Sequence, residues 1–211
     1  EFVSHVSKYH DCVDVLINCA GLFGAIGRFD KTDSMLWKQT IDINLFGTYL
    51  LSKHFLALLM RSERKKIINF SGGGATSSRP NFSAYSVSKT AIVRLTEILA
   101  EELKDSQIDI NAVAPGPINT EMLEDILKAG KKAGNEFEVA LERKKSGGES
   151  PKKVVDLCRF LLSKRSDGIS GKLISAVWDH YRDPSFIERL KSDSNFCCLR
   201  RVDGTNFDRH Q

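Results

Sequence analysis

Tyr85 and Lys89 stand four residues apart in a stretch that reads SGGGATSSRPNFSAYSVSK from Ser71 to Lys89. On a helix that spacing puts both side chains on one face, so the phenol and the ammonium can reach a common point. A free tyrosine, with a pKa of about 10, is a poor proton shuttle at neutral pH. A cation fixed nearby stabilises the tyrosinate, and a close opposite charge commonly moves a group by about 1–3 pH units. The pair therefore suits general acid–base work on an oxygen atom. A Y-x-x-x-K spacing also recurs by chance on surface helices, so its meaning depends on what the chain places beside it.

Its neighbours lie at the ends of apolar runs. VDVLIN (13–18), KKIINFS (65–71), DINAVAP (109–115) and KLISAV (172–177) are short, rich in β-branched residues and bounded by Gly, Pro or Asn. That pattern predicts strands covered on both faces, as in a parallel sheet. Residues 33–60 predict one long helix, opened by the capping stretch Thr32-Asp33-Ser34 and carrying Ile41, Leu45 and Tyr49 at helical spacing. A second helix over 83–103 puts Ile92, Leu95, Leu99 and Leu103 on one stripe. A third starts at Pro151 and carries Val154, Leu157, Phe160 and Leu161. Residues 119–147, more polar and punctuated by glycine, predict one or two mobile helices. The order β-α-β-α-β-(α)-α-β implies a doubly wound α/β fold, a parallel sheet with helices on both faces. Ligands of such sheets bind at the carboxyl ends of the strands. INCAG, NFSGGGA and NAVAPGPINTEM all fall there, while Asn44 falls mid-helix, where its amide competes for backbone groups.

Composition excludes other classes. A chain of 211 residues fits one domain with a sizeable core. Its 41% hydrophobic and 27% charged residues set disordered and collagen-like chains aside. The longest apolar run, at 55–60, is far short of the roughly 18 residues of a membrane span, and the first residues lack the apolar core of a signal peptide. The expectation is a soluble chain with no membrane partner. A net charge of +4, with basic clusters that adjoin acidic residues or helix ends, argues against nucleic acid. Five cysteines without C-x-x-C spacing argue against a disulfide framework and a zinc site, and for a reducing, cytoplasmic setting. The five histidines show no ligand spacing, so no metal is expected.

Asn18-Cys19-Ala20-Gly21, Asn44, a serine at a strand end, Tyr85-x-x-x-Lys89 and Pro115-Gly116, in this order and at these spacings, resemble the short-chain dehydrogenase/reductase family. The likeness covers about residues 1–177. It implies a Rossmann-like sheet, NAD or NADP as cofactor, and interconversion of a small-molecule alcohol and a carbonyl. It also implies roles. Tyr85 is the general acid/base, Lys89 lowers the Tyr85 pKa and holds the nicotinamide ribose, and Asn44 holds a water of the proton relay. Asn18, Ala20 and Gly21 line the cofactor, Pro115 and Gly116 wall the nicotinamide, and Ile118 and Thr120 reach its carboxamide and phosphates. Relatives form dimers or tetramers through their two long helices and last strand, so a homo-oligomer is expected. Residues 1–211 are expected to form one N-terminally incomplete Rossmann-like domain, with 119–147 as its substrate lid and 178–211 as a C-terminal extension.

Two departures qualify the resemblance. The family's serine stands thirteen residues before its tyrosine, and here that position is Gly72. Ser71, one residue earlier, faces the other side of a strand unless Gly72-Gly73-Gly74 turn to present it. Ser71 is the first candidate; Thr76, Ser77 and Ser83 are other hydroxyls, or none is used. The glycine-rich phosphate turn is also missing, since Gly21, Gly24 and Gly27 read as the loop after the first strand. That turn and the strands around it are expected before Glu1, on the order of 60–70 residues by family spacing. N-terminal strands of the fold would then be absent, VDVLIN would present an open edge, and a truncated non-catalytic chain acting as scaffold or oligomerisation partner becomes the alternative. In the lid, Lys128, Lys131, Lys132, Arg143, Lys144 and Lys145 are balanced by Glu121, Glu124, Asp125, Glu136, Glu138 and Glu142, which predicts a solvated face. FCCLRRVDG (196–204) is expected as a short added strand or at a subunit boundary.

Overall fold

The computed structural model describes residues 2–202. Four parallel strands, β1 (Val15–Asn18), β2 (Lys66–Phe70), β3 (Asp109–Ala114) and β4 (Leu173–Ser175), form one sheet in the order β1-β2-β3-β4. Each falls within a run that the sequence marks. The registers, Asn18 opposite Asn69 and Phe70 opposite Val113, bring the carboxyl ends of the strands to one edge.

Alternation along the strands explains the layers. Ile67 and Ile110 pack with Phe55, Leu58 and Leu59 on one face, whereas Ile68, Val113 and Ile174 pack with Leu157, Phe160 and Leu161 on the other. The first face belongs to α3 (Gly47–Leu59) and α4 (Ser83–Glu102), the second to α7 (Pro151–Leu161). Helices on both faces of a parallel sheet make this a doubly wound α/β fold, as the sequence predicts.

The long helix predicted over 33–60 is three pieces joined end to end: α2 (Ser34–Ile41), a wide π-helical turn (Asp42–Phe46) and α3. Asp33 caps it, its carboxylate accepting from the Leu36 amide at 2.8 Å. Single π turns of this kind are frequent at functional sites, and this one carries Asn44. A short α1 (Phe2–Val6) lays Phe2 edge-on against Phe55. Residues 119–147 contain α5 (Glu121–Ala129) and α6 (Asn135–Ser146), whose Leu123, Ile126 and Ala140 are buried over Phe23, Phe82 and Tyr85.

Beyond β4, the tail adds α8 (Pro184–Ser192), capped by Asp183. Residues 193–200 then run beside the outer edge of β4. The Leu173 amide donates to the Cys197 carbonyl at 2.8 Å, and the Ser175 amide donates to the Asp179 carboxylate at 2.7 Å. The buried Lys172 ammonium donates to the carbonyls of Asp193 and Phe196, and the Leu199 amide donates to Glu97. The stretch read as a short strand makes one such edge bond without becoming a strand; its Asp203-Gly204 end lies outside the described residues. At the opposite edge, β1 is paired on its β2 side, and Ile17 is exposed. Among the described residues no helix is long and apolar enough to cross a membrane.

Candidate active site

Three loops meet at the carboxyl edge of the sheet: 19–28 after β1, 71–82 after β2 and 115–120 after β3. Helix α4 begins where the second loop ends, so Tyr85 and Lys89 enter the site from its first two turns. Both side chains are buried.

Lys89 is held from below. Its ammonium donates to the Phe70 carbonyl at 2.8 Å, where β2 ends. Burial pulls its pKa down from 10.5 to about 8, with Cys19 acting in the opposite direction. Gly21 packs directly on this cation: a Cβ built there would lie 3.2 Å from Lys89 Nζ and 3.2 Å from Asn44 Oδ1. A side chain at position 21 would press on the ammonium, so glycine is what lets the loop after β1 come this close.

Asn44 is fully buried and works as a substitute for backbone. Its Oδ1 accepts from the Leu22 amide at 2.9 Å, while Nδ2 donates to the Leu22 carbonyl at 2.9 Å and to Ser88 Oγ at 3.0 Å. Ser88 Oγ in turn donates to the Tyr85 carbonyl at 2.7 Å. The competition for backbone groups that makes asparagine a poor interior helix residue here fastens the loop after β1 to α4.

Tyr85 lies in an aromatic floor, its ring 4.6 Å from that of Phe23 in edge-to-face contact. Burial is the main influence on its hydroxyl and pushes the pKa above 10.0; Arg79 lowers it and Glu136 raises it. The spacing of Tyr85 and Lys89 predicts a tyrosine eased towards ionisation by its lysine. Instead desolvation dominates, and the charges that act on the phenol come from elsewhere.

The serine position resolves into two placements. Ser71 is buried, and its hydroxyl donates to the Lys89 carbonyl at 3.1 Å, turned to the backbone of α4. Gly72 is the residue that faces Tyr85, for a Cβ built on it would collide with Tyr85 Oη. Of the other hydroxyls, Ser83 accepts from the Trp37 indole at 3.1 Å, and Thr76 and Ser77 are exposed. Gly72→Ala is expected to force the Tyr85 ring off its seat and to lower unfolding free energy by about 1–3 kcal/mol, the usual effect of overpacking. Urea denaturation measures it, and an unchanged midpoint would show that the ring moves freely.

The remaining sequence-predicted residues are spread along the same edge. Asn18 is turned into the sheet, where Nδ2 donates to Asn69 Oδ1 at 2.9 Å and to Ser52 Oγ at 3.1 Å, while its own Oδ1 is buried without a partner. Ala20 is exposed beside Gly21. Gly116 packs against Val177, Ile118 bridges to Glu149, and Thr120 is exposed at the start of α5. The structure thus gathers Gly21, Asn44, Tyr85 and Lys89 into one cluster, with Ser71 behind it and Pro115 to Thr120 on the next loop. Two residues that sequence reasoning passes over also stand here: Ser88, which joins Asn44 to Tyr85, and Arg79, whose guanidinium lies over the Tyr85 ring.

A doubly wound sheet with a buried Tyr-Lys pair at its carboxyl edge defines a class of α/β proteins that bind at strand ends. Comparison with known proteins narrows it. A family model described as enoyl-(acyl carrier protein) reductase matches residues 1–176. Short chain dehydrogenase pigC of Monascus ruber is 31% identical over 173 residues, covering 82% of this chain and 54% of that protein. The chloroplastic NADPH-dependent aldehyde reductase-like protein of Arabidopsis thaliana is 32% identical, over 80% of this chain and 61% of its own length. Among solved structures, the aldohexose dehydrogenase of Thermoplasma acidophilum superposes with a TM-score of 0.72 at 27% identity, over 82% of this chain and 70% of that one. A short chain dehydrogenase from Escherichia coli CFT073, complexed with NADPH, gives 0.70 at 20% identity, over 83% and 68%. The chain belongs to the short-chain dehydrogenase/reductase family. It spans about half the length of the first of these curated relatives.

Proposed function

We propose that this chain carries the proton-transfer centre of an NAD- or NADP-dependent oxidoreductase that interconverts a small-molecule alcohol and a carbonyl. The observation that carries this reading is the buried Lys89 ammonium at the carboxyl edge of the sheet, seated on the Phe70 carbonyl with no second acceptor among the described residues. A buried ammonium with N–H groups to spare at a strand edge fits the hydroxyls of a nicotinamide ribose. Gly21 and Ala20 leave room for the cofactor on one side, and Pro115, Gly116, Ile118 and Thr120 border it on the other. When bound, the cofactor supplies or accepts the hydride.

The residues of the chain handle the proton. In the reducing direction Tyr85 Oη gives its proton to the carbonyl oxygen, and Arg79 over the ring favours the tyrosinate that results. In the oxidising direction the same oxygen takes the alcohol proton. Asn44 fixes the loop after β1 and, through Ser88, the turn that carries Tyr85. Residues 119–147 serve as the substrate lid of a single domain, with 178–211 as its C-terminal extension, of which residues 193–200 run beside β4. Exposed apolar residues on two helices, Phe46 and Tyr49 near the π turn and Val87 and Ile98 on α4, support a homo-oligomer.

A second reading, a non-catalytic chain that serves as an oligomerisation partner, draws on one observation. Gly72 meets Tyr85 Oη where the family places a serine, and the Ser71 hydroxyl is turned to α4. Titration of the chain with NADH and NADPH, followed by nicotinamide fluorescence and by thermal stability, separates the two. Saturable binding that raises the melting temperature is expected on the first reading. A folded chain that binds neither would favour the second.

A further inference from the structure

Arg79 lies in the loop before α4, and nothing in the Tyr-Lys chemistry requires it. Its guanidinium is nonetheless stacked on three rings at once, with its carbon 4.3 Å from the centroid of Phe82, 4.9 Å from Phe23 and 5.6 Å from Tyr85. Two of its nitrogens form a fork with one carboxylate across the loop: Nε donates to Glu136 Oε1 and the terminal nitrogen to Oε2, each at 2.6 Å. The side chains are 14% and 28% exposed, which places this pair largely out of water and apart from the open surface pairs such as Lys144–Glu124. Removing one partner of a shielded fork of this kind costs more than breaking a solvated pair, because the other charge is left out of water and unpaired. Glu136 sits in the first turn of α6, and the preceding Gly134 lies against the Asn81 side-chain amide, so the contact has a second point beside it. The six-to-six charge balance predicts a solvated lid; Glu136 is turned inward instead.

We propose that Arg79 is a positioning residue for Tyr85 and that Glu136 latches the lid to it, so that the seat of the phenol and the closure of α6 depend on one ion pair. The proposal rests on the reading of Tyr85 as the acid/base and of 119–147 as the lid. The charged groups around the Tyr85 ring are Arg79 from the loop, Glu136 from α6 and Lys89 from α4 itself, 5.7 Å from the ring centroid, with Arg143 near enough to feel the charges of Glu136 and Arg79. Arg79 favours the tyrosinate and Glu136 opposes it. The two partners hold the lid together but act on the phenol with opposite signs.

That opposition gives the test. Tyr85 is titrated in the purified chain by NMR of tyrosine ring carbons, with Tyr85→Phe assigning its signal among the four tyrosines. Hydrogen exchange is followed at the amides of 135–146. Arg79→Met should raise the Tyr85 midpoint and Glu136→Gln should lower it, while both speed exchange in α6 by about tenfold, as expected for the loss of a shielded charged hydrogen bond. A packing role alone would shift Tyr85 the same way in both variants. That outcome, an unmoved midpoint, or unchanged exchange in α6 would overturn the proposal. If Arg79→Met does not fold, Arg79→Lys retains the charge without the fork and should loosen α6 with little change at Tyr85; unchanged exchange in α6 or a clearly shifted Tyr85 midpoint there counts against it. Neither readout uses cofactor or substrate. A chain that transfers no hydride would remove the oxidoreductase reading and leave the latch standing.

Discussion

Tyr85→Phe is expected to lower turnover by about 10²–10⁴-fold, the usual contribution of one positioned acid/base, while the fold survives. The reasoning joins the packing to the chemistry. The ring makes the contacts that hold the floor together, edge-on to Phe23 and beneath Arg79, and phenylalanine keeps all of them. The hydroxyl alone faces Gly72. Its removal eases that approach and takes away the only proton the ring can give. Unfolding free energy should therefore stay within about 0.5 kcal/mol of the parent, the range of a change that leaves packing in place. Turnover is measured by cofactor absorbance and stability by urea denaturation. A variant that keeps more than a tenth of the parent rate would show that another group moves the proton.

Lys89→Met should do the opposite to stability: a more stable protein that has lost its activity. Burial lowers the Lys89 pKa from 10.5 to about 8, so the charged form is disfavoured in the folded state by about 3 kcal/mol. The Phe70 carbonyl loses its donor in the variant, which takes back about 1 kcal/mol. A net gain of about 2 kcal/mol at pH 7 remains. The pH dependence carries the sign. Between about 8 and 10.5 the unfolded chain binds a proton at this position that the folded chain does not, so stability of the parent rises with pH across that window. Below about 8 both states are protonated and the full penalty applies. The variant should lack this rise, and its advantage should shrink as pH approaches 10.5. Thermal or urea unfolding at pH 7 and pH 10 tests both points. A variant less stable than the parent at pH 7 would mean that the ammonium is better solvated than its burial indicates. Stability given up at a functional residue is a common trade.

The four strands and the three main helices could be read because their signals are local. Strand runs such as KIINF are apolar on both faces, and Asp33 and Pro151 mark helix starts by their own chemistry. Helix α8 carries the same kind of mark, Asp183 before Pro184, and was available to the same reasoning. The π turn is different. Residues 42–46 have the composition of ordinary helix, and the wide turn can be recognised only from the bonds that Asn44 makes with Leu22 across the fold. In the site, Tyr85, Lys89 and Gly21 announce themselves by type and spacing. Arg79 does not, since its carboxylate partner is 57 positions away and both belong to stretches that read as polar surface. Gly72 shows both sides of the matter. Its misfit to the family pattern is visible in the sequence, but that its backbone lies against Tyr85 Oη, with Ser71 turned away, follows from the strand's alternation carried one residue past its end.

The two borders of the sheet have different fates. The outward amides of Leu173 and Ser175 on β4 are already taken, by the tail and by Asp179, whereas among the described residues β1 meets a neighbour on one side only and exposes Ile17. A sheet with two free borders can add copies without limit, which is the geometry of a fibre. One with a single free border accepts a further strand on one side alone, so among the described residues any added strand lies next to β1 and the loop that carries Gly21.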